Sequence, residues 1–204
     1  MCLTILGGSV SAQSHRDFAA RYSLKSSQDT VSAYLKNNLG FGSKVYSPHL
    51  WADGVTFIDA AGNKMNFTED QLDYMELTDH TGRLRKFVPP TALAMPKLNL
   101  LEVNYEGKLG MYTDYYMDKS RREFVVQQFL AEEGQKPILV ASHGRLNDPV
   151  PGTKKPSQLN VGFYNSFRKK LKERFAEYPD LQKRINEMKS YEDLIGIIAD
   201  YNQR

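Results

Sequence analysis

Val55-Thr56-Phe57-Ile58-Asp59-Ala60-Ala61-Gly62-Asn63-Lys64-Met65-Asn66-Phe67 reads as two short strands and the loop that joins them. Val55 to Ile58 is rich in β-branched and aromatic residues, the types that fit a pleated surface. Gly62 and Asn63 take positive φ readily, which a tight hairpin loop demands. The same form returns at Met75 to Thr78 and Arg83 to Val88, on either side of Asp79-His80-Thr81-Gly82. Two hairpins so close together leave no room for a crossover helix between strands, so the sheet they start is antiparallel.

Working outward, Leu100 to Tyr105 turns at Glu106-Gly107 into Lys108 to Tyr116, and Phe124 to Ala131 turns at Glu133-Gly134 into Ile138 to Ala141. Pro89-Pro90 and Pro96 interrupt this meander. Thr30 to Lys36 fits a strand through Val31, Ala33 and Leu35, and equally one helical face through Val31, Tyr34, Leu35 and Leu39. Residues 147–157 hold three prolines, a glycine and two lysines and read as a linker or exposed loop. Beyond it the period becomes helical, with Tyr164, Phe167, Leu171, Phe175 and Tyr178 forming one apolar stripe. Pro179 ends that helix and opens a second, whose buried face is Leu181, Ile185 and Met188. Ser190 caps a third helix with Glu192 and Asp193 in its first turn and Leu194, Ile195, Ile198 and Tyr201 facing inward. The fold class expected is therefore α+β: an antiparallel, curved β-meander over residues 30–146, with two or three helices over 158–204 joined to it in one domain. No repeat and no low-complexity tract is read in the chain.

The first residues differ from the rest. Residues 1–12 carry no charge, a short apolar run and the ending Val10-Ser11-Ala12, the small-x-small pattern that precedes signal-peptidase cleavage. They read as the tail of a leader removed before Gln13, its basic beginning lying upstream of Met1; the alternative is a buried first strand. Cleavage there would take the sole cysteine, Cys2, with it, leaving neither disulfide nor thiolate. Residues 13–29 are polar without a clean period and are expected to form a loosely held arm.

The layout resembles a set of uncharacterised exported β-rich proteins of Gram-negative bacteria, periplasmic or surface-located, with a helical C-terminus. The resemblance runs through Val55-Thr56-Phe57-Ile58-Asp59 with Gly62, through Arg85-Lys86-Phe87-Val88, and through Glu106-Gly107-Lys108-Leu109 with Met111-Tyr112. It is strongest in Phe167, Leu171, Phe175, Pro179, Leu181, Ile185, Tyr191, Leu194 and Tyr201-Asn202. It implies an exported domain and brings no activity and no functional residue with it.

The chemistry-bearing residues are scattered. The four histidines, His15, His49, His80 and His143, stand far apart with no ligand spacing, so no metal and no cofactor is expected. Ser142-His143 with Asp148 holds the residue types of a hydrolase triad, but successive strand residues point to opposite faces and no nucleophile elbow surrounds Ser142. Between Lys154 and Tyr178 seven basic residues outnumber two acids. Without a nucleic-acid motif they read as the solvated face of a helix, and nucleic acid is not an expected partner. The formal charge of +3 is mild, and no run of apolar residues is long enough for a membrane-spanning helix. Trp51, Tyr112, Tyr115 and Tyr116, with Tyr46, are candidates for an aromatic ligand surface, or equally for packing.

The function expected is a non-enzymatic binding or structural module of the cell envelope, periplasmic or at the surface, with an envelope protein or a glycan as partner and no catalytic residue. The alternative is an envelope hydrolase or other enzyme whose site is assembled from distant residues.

Overall fold

A computed structural model describes residues 17–37, 54–93, 100–118, 123–144 and 161–204. The strands are β1 (Phe18–Leu24), β2 (Ser27–Leu35), β3 (Val55–Ile58), β4 (Lys64–Phe67), β5 (Leu72–Thr78), β6 (Leu84–Val88), β7 (Leu101–Tyr105), β8 (Leu109–Asp118), β9 (Glu123–Glu132) and β10 (Ile138–Gly144). The helices α1 (Val161–Arg174), α2 (Pro179–Glu187) and α3 (Tyr191–Asn202) follow them. Strand order in the sheet is β10-β9-β8-β7-β6-β5-β1-β2-β3-β4, and the pairings within it are antiparallel. The α+β expectation holds, with three helices. The meander is broken once, where β5 pairs with β1 rather than with β4.

The strands begin earlier than the sequence suggests. Residues 13–29, expected to be a loose arm, contain β1 and the start of β2, and β1 lies between β2 and β5. Phe18, Ala20 and Tyr22 turn inward while Ala19 and Arg21 stay exposed, so the two-residue period is real. It is faint because one inward residue is an alanine. The turn at Lys25-Ser26 also lacks the Gly, Asn or Pro that marks most hairpins. Of the stretch Thr30 to Lys36, equally compatible with a helix, all but Lys36 belongs to strand β2.

The chain divides into two compact units, the division falling inside β6. Read as one β region, the strands are shared between the two. In the first unit, Tyr22 and Phe57 stack at 4.2 Å between ring centroids, and Phe67 lies 5.3 Å from Tyr22. Leu35, Leu72, Met75 and Leu77 complete this core.

The two hairpin loops of this unit are built alike. Asp59 N–H donates to the Asn63 carbonyl and Gly62 N–H to the Asp59 carbonyl, while Asp79 N–H donates to Arg83 and Gly82 N–H to Asp79. In each loop the aspartate carboxylate accepts backbone N–H groups two and four residues on, and the glycine has φ near +85° (87° and 82°). Asp59/Asp79, Gly62/Gly82 and Phe67/Phe87 stand at one constant offset. The two loops share one turn chemistry, while the strands around them differ in composition.

The second unit packs its helices on its strands. Leu109 and Met111 of β8, Leu130 of β9 and Ile138 and Val140 of β10 form one cluster with Phe167, Leu171, Phe175, Leu181, Ile185, Met188, Leu194, Ile198 and Tyr201. The described residues of the expected helical stripes thus face the core, joined by Ile197, with Tyr178 and Ile195 only partly buried; the side chain of Tyr164 lies outside the described residues. Pro179 sits in the first turn of α2. Ser190 Oγ accepts from Asp193 N–H at 3.1 Å, and the Asp193 carboxylate accepts from Ser190 N–H in return, closing a capping box.

Candidate functional site

Among the described residues, the aromatics singled out in the sequence, Tyr112, Tyr115 and Tyr116, do not share one surface. Trp51 and Tyr46 lie outside the described residues. On β8, Tyr115 follows Leu109, Met111 and Thr113 along one face, and Tyr112 and Tyr116 take the other. Tyr115 is buried and its hydroxyl donates to Glu102 Oε2 at 2.6 Å. Tyr112 lays its ring over Gly110, leaving no space for a Cβ there. Burial, with the Glu106 carboxylate as a lesser cause, pushes the Tyr112 hydroxyl above its ordinary pKa. Tyr115 is a packing residue whose hydroxyl satisfies a buried carboxylate.

Ser142 and His143 are successive residues of β10, in register with Gln127 and Val126. Ser142 Oγ accepts from Gln127 Nε2 at 3.5 Å, and Asp148 lies outside the described residues. Of the basic run, Lys154 and Lys155 lie outside the described residues, and the two arginines are committed within the molecule. Arg168 donates to the carbonyls of Asn186 (3.0 Å) and Met188 at the end of α2. Arg174 donates to the Lys136 carbonyl at 2.7 Å and to Glu132 Oε2 at 3.3 Å. The Tyr201 hydroxyl donates to the same Glu132 carboxylate, fastening α3 where Arg174 fastens α1. Lys169 and Lys170 remain exposed beside exposed Glu173 and Glu177, a mixed solvated face. Among the described residues no group of three His, Cys, Asp or Glu side chains stands close enough to hold a metal, and no helix is long and apolar enough to cross a membrane.

Asp79 is a strongly perturbed acid. Burial by itself would raise its pKa, but hydrogen bonds from Thr81 Oγ1, Arg85 Nε and the Thr81 and Arg83 backbone outweigh it and bring the carboxyl to about 2. The Arg85–Asp79 contact is 2.7 Å and both side chains are at least nine-tenths buried. All of these bonds close the hairpin loop, so the group is structural.

What remains is a trough of about 390 Å³ on the outer face of β2, β1 and β5 in the first unit. The ladder sets it out. Ser32, Arg21 and Glu76 lie in register across the three strands, and Tyr34 pairs with Ala19 in the adjoining row of the same face. Small Ala19 and Ser32 thus occupy one diagonal of a checkerboard, with Tyr34 and Arg21 on the other. The floor sinks between an aromatic ring and a guanidinium. Ala60 of the first hairpin loop and Leu84, 53% exposed, complete the rim. Arg21 Nη1 donates to Glu76 Oε1 at 3.1 Å, and the Tyr74 hydroxyl donates to Glu76 Oε2 at 2.5 Å.

No protein-family model, curated protein or solved structure matches this chain. The trough therefore rests on its own geometry. Sequence reasoning missed it because Ala19 and Arg21 fell in the supposed arm. The available signal was the run Phe18-Ala19-Ala20-Arg21-Tyr22, whose outward residues alternate small and cationic.

Proposed function

We propose that this protein is a non-enzymatic binding module of the cell envelope, periplasmic or at the surface, and that the trough on β2, β1 and β5 is where it binds. The observation that carries the reading is the trough itself. It lies on a sheet face opposite the core, within the volume range of small-ligand sites, and is lined by an aromatic residue and a few convergent polar groups. The envelope location draws its support from Val10-Ser11-Ala12 and from the resemblance to exported proteins. A partner among envelope proteins or glycans follows from that location.

The test is co-sedimentation of the purified protein with isolated Gram-negative cell envelopes, comparing wild type with Ala19→Leu/Ser32→Leu. Both positions are exposed, so the leucines fill the trough without entering the core. The expected result is wild-type protein in the pellet and the double variant in the supernatant, with identical circular dichroism. Equal partition of the two proteins would remove the trough as a binding surface.

A further inference from the structure

We infer that the trough recognises a neutral carbohydrate, one sugar ring lying against Tyr34 with its hydroxyls on the Arg21–Glu76 pair. This deepens the binding role proposed above and rests on it.

The first argument is charge. Arg21 and Glu76 face the trough as a pair 3.1 Å apart, so an anionic ligand meets the Glu76 carboxylate and a cationic one meets the guanidinium. A ligand carrying neither charge meets no repulsion. The pair nonetheless keeps capacity to bond. The Arg21 side chain is 58% exposed, and its contact with Glu76 engages one of five N–H donors. Each Glu76 oxygen accepts one bond, from Arg21 or from Tyr74, and each carries a second lone pair. The site thus offers a donor fork beside an acceptor, the arrangement that takes up vicinal hydroxyl groups. Ser32 and Thr78 add hydroxyls of their own.

The second argument separates sugar from peptide. An extended peptide binds a sheet through backbone groups at an open edge. The trough lies on a face, and β1 beneath it is paired on both sides. Its backbone N–H and C=O groups belong to the ladder, leaving side chains as the recognition elements. A sugar ring suits such a site, because it has hydroxyls around its rim and an apolar C–H face that packs on an aromatic ring such as Tyr34.

The experiment titrates the protein with maltotetraose, cellotetraose and chitotetraose at millimolar concentration, following backbone amide shifts by NMR. A capped, uncharged peptide rich in serine and threonine serves as comparator, offering the same hydroxyls without the ring. The proposal expects saturable shifts at Ser32, Arg21 and Tyr34 with at least one tetrasaccharide. Tyr34→Ala should weaken that binding about tenfold, the loss of one ring contact, and Ala19→Leu should abolish it. Unchanged amide positions for buried Val55 and Leu72, away from the substituted residues in the chain, verify that each variant is folded. Absence of these shifts with all three saccharides overturns the carbohydrate assignment, as do shifts confined to other surfaces. If the peptide alone moves the trough amides, the assignment falls while the binding role stands; if the trough-filled variant still pellets with envelopes, the binding role falls.

Discussion

Asn202, at the end of α3, completes the backbone pairing of Leu109 at the start of β8. Its Oδ1 accepts from Leu109 N–H at 2.7 Å and its Nδ2 donates to the Leu109 carbonyl at 3.0 Å. One side chain thereby does for Leu109 what a neighbouring strand would do. Gly107 makes this possible, because a Cβ at that position would overlap the Asn202 amide. Two segments far apart in the chain, Glu106-Gly107-Lys108-Leu109 and Tyr201-Asn202, thus meet in space.

Asn202→Ala is expected to cost about 1–3 kcal/mol, because Leu109 is fully buried and its backbone groups would lose their partner. Gly107→Ala should cost a similar amount by displacing the same amide. In a urea double-mutant cycle the two losses should be strongly sub-additive, since each removes one interaction. Simple additivity would show that Gly107 acts independently of Asn202.

The helical stripe provides a second measurement. Leu171→Ala should destabilise by about 2–5 kcal/mol, the usual result of emptying a fully buried leucine site. Lys169→Ala, on the exposed side of α1, should change stability by less than about 0.5 kcal/mol. Comparable shifts in urea midpoint for the two variants would reverse the assignment of faces.

Asp79 makes stability depend on acid. Its folded pKa of about 2 lies below the ordinary 3.8, so its contribution is complete above pH 3.8 and fades as pH falls through the folded value. The shift corresponds to about 2 kcal/mol. Asp79→Asn should therefore be markedly less stable than wild type at neutral pH, with the gap narrowing between about pH 4 and pH 2. A gap independent of pH over that range would assign the loss to hydrogen-bond geometry instead of charge.

Gly82 isolates backbone conformation from packing. An added Cβ there meets no atom within 4 Å, yet φ is +82°. Gly82→Ala should cost about 1 kcal/mol through the left-handed backbone alone, and Gly82→Asn less, because asparagine visits that region more easily. Thermal denaturation of the two variants distinguishes this from a steric effect, which would penalise the larger asparagine more.

A fifth comparison concerns processing. Cleavage before Gln13 would leave every described element intact, since β1 begins at Phe18. N-terminal sequencing of protein recovered from the envelope fraction should read Gln13 first. A product beginning at Met1 in the cytoplasm would falsify both the leader and the location.

The parts of the fold legible in the sequence are those where one residue type answers one physical need. Gly62 and Gly82 announce loops requiring positive φ, and Phe167, Leu171 and Phe175 announce a buried helical face. Hidden features depend on pairing between distant segments. Nothing local shows that Arg21 would meet both Ser32 and Glu76, because that alignment follows from β5 pairing with β1 and not with β4. Tyr115 looked like a ligand platform because tyrosine suits either role; the deciding fact is Glu102 across the strand, whose buried carboxylate takes its hydroxyl. Arg174 and Arg168 looked like part of a free basic surface until their carbonyl partners in other elements were seen.

The apolar face of β8, β9 and β10 has a kinetic consequence. The hairpins that join these strands are local, and closing such loops takes microseconds. The helices that cover them come later in the chain, and the Asn202–Leu109 contact spans 93 residues. Strands can therefore pair while Leu109, Met111, Leu130 and Val140 still lack their cover, which makes the early, half-finished state the one most prone to stick to its own kind. Aggregation during refolding should follow the docking of α3, not the formation of the sheet.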